Sequence, residues 1–135
     1  MSYMHFIFWK EKTGDPVIQI GEILKSMYGR NSKCQADLIL SEDRINLRIK
    51  DYMFTYSLIA ENWVQEESKD IADTFGRKRN DYMIIKESRS RVEFYGDDDP
   101  DMDYFNDYLL MLERIQRELP VIIFDTENGN FFDEI

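Results

Sequence analysis

The stretch LILSEDRINLRIKDYMFTYSL, residues 38–58, decides the architecture expected of this chain. Ile45, Leu47 and Ile49 alternate with Asn46, Arg48 and Lys50, and Tyr52, Phe54 and Tyr56 alternate with Met53, Thr55 and Ser57. A period of two puts the apolar set on one side of an extended chain and the polar set on the other, which is the pattern of strands with one buried face. The short apolar run Leu38–Leu40 is followed by the turn-forming Ser41-Glu42-Asp43. Lys50-Asp51 must reverse the chain, although neither residue favours positive φ as Asn-Gly would. The segment therefore reads as an antiparallel meander.

Working outward, Tyr3–Trp9 is a continuous aromatic and aliphatic run, as expected of a strand buried on both faces. Asp15 and Pro16 form a cap and a first helical residue. Val17, Ile20, Gly21, Leu24, Met27 and Tyr28 then recur at helical spacing up to Gly29. Residues 30–35, with Cys34, read as a polar loop. A second helix is predicted over 61–75, with Val64, Ser68, Ile71, Ala72 and Phe75 on one face. The basic loop Arg77-Lys78-Arg79-Asn80 follows it. Tyr82–Ile85 is predicted to be a short strand, and Val92 and Phe94 begin another. After an acidic loop, a third helix is predicted over 100–119, started by Asp99-Pro100 and stopped by Pro120. Val121–Phe124 is again apolar on both faces. Asn128-Gly129 predicts a tight turn, with Phe131 and Phe132 returning. The expected fold is a single α+β domain over residues 1–135, with a mainly antiparallel sheet and about three helices. Its predicted core is Phe6, Phe8, Ile20, Leu24, Ile45, Leu47, Ile71, Phe75, Phe105, Leu109, Leu112, Ile122 and Phe124.

Composition bounds the function. The 135 residues include 9 Phe, 8 Tyr and 2 Trp but only 6 Gly and 3 Pro, which excludes a disordered or low-complexity chain. No apolar run approaches the roughly 20 residues of a membrane-spanning helix. The N-terminus lacks the basic and apolar regions of a signal peptide, so the expected location is the cytoplasm, with Cys34 reduced. The net charge of −10 is unevenly distributed: residues 1–50 carry +2, residues 51–96 carry −2, and residues 97–135 carry the whole −10. Such a field repels nucleic acid and anionic lipid and draws basic partners. Solubility alone is the plainer account of the acidity.

Few residues are placed for catalysis. The lone His5 sits inside an apolar strand, where a hydrogen-bonded structural role is expected. Cys34 reads as an incidental thiol. No phosphate-binding glycine loop and no nucleophile elbow occur, and one Cys with one His does not make a zinc site. The conspicuous cluster is Gly96-Asp97-Asp98-Asp99-Pro100-Asp101-Met102-Asp103. Asp97, Asp99 and Asp101 have the spacing of hard-cation ligands, but the sixth and twelfth positions of a calcium loop are occupied by Met102 and Tyr108 instead of Gly and Glu. Helix capping accounts for one or two of these aspartates. Five within seven residues repel one another, and a charge that folding does not need can serve a partner.

At this point the chain resembles immunity proteins of bacterial toxin–immunity systems, the contact-dependent and polymorphic toxins. The resemblance lies in small size, acidity and an aromatic-rich α+β build. It includes the run Gly96-Asp97-Asp98-Asp99-Pro100-Asp101-Met102-Asp103-Tyr104-Phe105-Asn106-Asp107-Tyr108, and the closing Ile123-Phe124-Asp125 with Asn128-Gly129-Asn130-Phe131-Phe132. It implies a cognate toxin, such as a nuclease, bound tightly with no catalysis by this chain and no cofactor. The expected interface is an exposed acidic face of Asp97, Asp98, Asp99, Asp101 and Asp103, with Asp107 and Glu118 nearby and Tyr95, Tyr104 or Trp63 as aromatic anchors. Two alternatives stand beside it: a metal-dependent enzyme using the aspartate loop, and a regulatory adaptor for another protein.

Overall fold

The computed structural model describes residues 3–11, 14–29 and 36–134. The polar loop expected at 30–35, with Cys34, lies outside the described residues. In chain order the elements are β1 (Met4–Trp9), α1 (Pro16–Tyr28), β2 (Ala36–Leu40), β3 (Arg44–Ile49), β4 (Tyr52–Ile59), α2 (Val64–Phe75), α3 (Tyr82–Lys86), β5 (Arg91–Gly96), α4 (Phe105–Glu118), β6 (Val121–Asp125) and β7 (Asn130–Phe131). A 3-10 turn at Phe132–Glu134 follows. The strands form one seven-stranded sheet in the order β2-β3-β4-β5-β1-β6-β7. Every pairing is antiparallel.

The expected meander forms as read, with Ile45 opposite Tyr56 and Leu47 opposite Phe54. Lys50 makes the reversal by taking φ 57° itself. β1 is interior, between β5 and β6, and its alternate side chains serve two cores. Ile7 joins Ile45, Phe54, Phe94 and Ile123 beneath Leu24 of α1 and Leu112 and Ile115 of α4. Phe6 and Phe8 join Ile122, Phe124 and Phe131 beneath Ile71 and Ala72 of α2 and Ile85 of α3. That explains why Tyr3–Trp9 and Val121–Phe124 are apolar at every position. Burying each such Phe or Ile is worth about 2 kcal/mol.

Several expectations are corrected. Tyr82–Lys86 is a helical turn, so four α-helices are described. Only Ile85 of that turn is buried; Met83 and Ile84 face outward. Phe75 is exposed, at the end of α2 where it contacts the Phe124 ring. Phe105 and Leu109 are only half-buried, and Tyr108 and Met111 take the core-facing positions of α4 instead. α4 begins at Phe105 because Met102 adopts φ 57°, which a right-handed helix does not accept.

Candidate functional site: a carboxylate-lined hollow

The acidic loop leaves the sheet where β5 ends. Its first residue still belongs to the ladder: the Asp97 amide donates to the Met53 carbonyl at 3.1 Å, and the Asp97 carboxylate accepts from the Met53 amide at 3.0 Å. The Tyr52 hydroxyl donates to the Asp97 carbonyl at 2.6 Å. Gly96 makes this approach available, since a Cβ there would collide with the Tyr52 hydroxyl.

The second anchor is Asp99. It is 3% exposed, against the expectation that the whole cluster lies at the surface. It accepts from the Tyr3 hydroxyl at 2.5 Å, the Asp103 amide at 2.9 Å and the Tyr104 amide at 3.0 Å. Burial by itself would raise its pKa. The three donors outweigh that and hold the carboxyl below the usual carboxylate range. Asp99 is thus the keystone of the loop: it satisfies the amides just ahead of α4 and ties them to the sheet through Tyr3.

Around these anchors Asp97, Asp98, Asp101 and Asp103 are exposed, and Asp51 joins them from the β3–β4 turn. Together with Tyr52 and Tyr104 they line a hollow of about 310 Å³. Tyr52 and Tyr104 stack at 4.3 Å between ring centroids, 12° from parallel. Burial first, then the surrounding aspartates, raises the pKa of both phenols and of Tyr3, so all three stay protonated donors. Among the described residues, none of Asp51, Asp97, Asp101 and Asp103 forms an ion pair with Lys or Arg. Arg79 pairs with Asp81, Asp133 and Glu134, and Arg91 with Glu67 and Glu93.

The other expected members disperse. Tyr104 forms a wall of the hollow. Tyr95 is half-buried on the opposite face of the sheet, in register with Met4 and Thr55. Trp63 precedes α2 at the far end of the strands, 49% exposed, with the Arg91 guanidinium 5.4 Å from its ring. Asp107 is half-buried and accepts from the Tyr28 hydroxyl at 3.5 Å. Glu118 closes the opposite end of α4, about 20 Å along the axis, and pairs with Arg114. Asp51 and Tyr52 were missed as site residues; their position in the turn facing Gly96 follows from the strand register alone.

The hollow can bind cationic groups but holds no nucleophile or imidazole. His5 lies in the core, its Nδ1 2.9 Å from the Tyr108 hydroxyl. Among the described residues no group of three or more carboxylate, imidazole or thiolate side chains could hold a metal ion. No described helix is long and apolar enough to cross a membrane. No protein-family model matches the chain, and no curated protein or solved structure matches it.

Proposed function

We propose that the chain is a binding protein that neutralises a cognate basic toxin domain, such as a nuclease, by presenting this acidic hollow to the toxin's cationic cleft. One observation carries the reading: a buried carboxylate, Asp99, and a ladder-bound one, Asp97, fix a loop whose remaining aspartates point outward with no Lys or Arg among the described residues to balance Asp51, Asp101 and Asp103. Like charges gathered this closely cost stability. Their attraction to a cationic partner offsets that cost only in the complex. The half-buried Tyr104, stacked on the buried Tyr52, supplies an aromatic wall of the kind that anchors interfaces. Trp63 is too far away to share that surface.

The test is co-expression with the product of the neighbouring gene. The chain should protect a host that the neighbour alone kills. The variant Asp97→Asn, Asp98→Asn, Asp101→Asn, Asp103→Asn keeps Asp99, and the side-chain oxygen left at position 97 still serves as acceptor for the Met53 amide. In stopped-flow mixing it should associate about tenfold more slowly at low salt, and its rate should lose most of its dependence on ionic strength. A harmless neighbour, or a rate and salt dependence equal to the parent's, would refute the reading.

A further inference from the structure

A second cavity lies at the other end of the sheet from the aspartate hollow. β1 and β4 finish there and β5 begins, with Ile59 opposite Arg91 and Ile7 opposite Val92. The loop at 88–90, the ends of β1 and β4 and the first turn of α1 enclose about 330 Å³. One side is apolar, made by Trp9, Pro16, Leu58 and Ile84. Trp9 is held in place because its indole N–H donates to Gln19 Oε1 at 3.0 Å.

The other side is rich in donors. Lys10 and Arg89 line it against one carboxylate, Glu87. Among the described residues neither cation forms an ion pair. Lys10 does act on Asp133, but Arg79 already binds that carboxylate at 2.8 Å. The Arg89 and Ser90 amides and the Ser90 hydroxyl bond to no described group. Arg91 forms the inner wall and is 3% exposed. Glu93 and Glu67 take its Nε and Nη2, whereas its Nη1 is a buried donor with no acceptor among the described residues. Buried donors are almost always paired, so this one marks the wall as short of acceptors. The backbone beneath these groups is anchored. The Lys10 amide donates to the Pro120 carbonyl at 2.8 Å, the Ser88 amide to the Ile85 carbonyl at 3.1 Å, and the Ser88 hydroxyl to the Ile84 carbonyl at 2.8 Å.

The chain's net charge of −10 does not cancel this local excess of donors. The six residues of β5, about 20 Å of strand, separate the cavity from Asp97. Exposed charges are screened beyond about 8 Å at physiological ionic strength.

We propose that this cavity binds a small organic anion. Its carboxylate or phosphate is met by Arg89, Lys10 and the amides of residues 89 and 90, and its apolar or aromatic body lies against Trp9 and Leu58. A guanidinium fork beside unpaired amides matches the oxygens of either head group. The apolar side favours such a ligand over a bare inorganic ion, and the volume suits a body of about one ring. The site shares no residue with the aspartate hollow and goes beyond the toxin-neutralising reading.

The test is an NMR titration of the full chain by itself, so its failure leaves the reading of the hollow untouched. The probes are phenyl phosphate, benzoate, inorganic phosphate and the neutral benzyl alcohol. Phenyl phosphate or benzoate should shift the Arg89 and Ser90 amides and the Trp9 indole along a saturable curve, with Kd of about 1 mM or tighter. Whichever of the two binds more tightly assigns the head group. Inorganic phosphate should bind about tenfold more weakly, and benzyl alcohol should not saturate. The double variant Lys10→Ala, Arg89→Ala changes two exposed side chains. It should keep the parent's melting temperature and bind at least about tenfold more weakly. Shifts that stay linear with either organic anion up to about 20 mM would overturn the proposal. So would a saturable response centred on other residues, binding of benzyl alcohol or inorganic phosphate as tight as that of the organic anions, or a double variant that binds like the parent.

Discussion

Replacing Asp99 by alanine should cost the protein more than replacing any other aspartate of the loop, although on sequence the five look alike. The magnitude follows from the three bonds it accepts. Losing the carboxylate leaves the Tyr3 hydroxyl, on a side chain only 5% exposed, without its acceptor. An orphaned buried donor costs about 1–3 kcal/mol. The Asp103 and Tyr104 amides lose their side-chain acceptor as well, an effect comparable to losing a helix cap, about 1 kcal/mol, partly offset by water. The expected loss is about 3 kcal/mol, or roughly 10 °C in melting temperature for a chain of this size. Tyr3→Phe removes one bond and should cost about 1 kcal/mol. In the Asp99→Ala background Tyr3→Phe should cost much less, because no buried hydroxyl is left orphaned. Urea titration of the four proteins measures this coupling. The pH dependence has a definite sign. The folded-state pKa of Asp99 is depressed, so its contribution is fully present above about pH 4 and is lost as pH falls through the folded-state value. An Asp99→Ala protein that melts with the parent, or costs that simply add, would refute the keystone role.

Neutralising Asp101 and Asp103 together should leave the melting temperature equal to or above the parent's in differential scanning calorimetry, because repulsion is relieved while Asp97 and Asp99 are retained. Arg91 is 3% exposed, its guanidinium lies 3.6 Å over the Phe6 ring, and it pairs with Glu93 at 2.7 Å and Glu67 at 2.9 Å. Arg91→Ala strands the half-buried Glu93 and should cost about 3 kcal/mol in urea titration, with much of that loss recovered by adding Glu93→Gln. Burial lowers the pKa of His5 against the pull of Asp125. An NMR titration of its ring should therefore give a midpoint below about 6.5, and its share of stability should be lost progressively as pH falls from about 6.5 through that midpoint.

What the sequence made legible was periodicity. The alternation over 45–57 fixes both strands and their buried face, and the unbroken apolar runs at Tyr3–Trp9 and Val121–Phe124 mark the strands served by two cores. Where periodicity gives out, so does the reading. Tyr82-Met83-Ile84-Ile85 is too short to distinguish a strand from one helical turn, and only the packing of Ile85 against the α2 core selects the turn. Phe75 fits the apolar face of α2 yet stays exposed at its C-terminal end, where the Phe124 ring covers only part of it. The site was legible as a charge density and not as a geometry. Nothing in a run of five aspartates marks the third as the buried one, because its partners, Tyr3 and the amides of 103 and 104, become neighbours only through the β1–β5 pairing and the left-handed Met102.

That arrangement bears on what the loop is for. A loop needing only a cap before α4 would be served by one aspartate, and Asp99 already fills that place. The ladder extension at Asp97 adds a second fixed point, and the Tyr52–Tyr104 stack braces the hollow from the β4 side to the start of α4. With both ends tied, the backbone holds Asp101 and Asp103 close together, and Asp51 is brought toward them by a turn in which Lys50 itself adopts positive φ. Every one of these features opposes the relaxation that electrostatics alone would favour. Solubility would be met equally well by the same charges on a floppy loop. A braced loop differs in its response to a cationic surface: it has little ordering entropy left to lose on contact. The same bracing explains why the Asn variants probe association separately from folding. They change the charge and leave Asp99, Tyr3, Tyr52 and Gly96 to hold the shape.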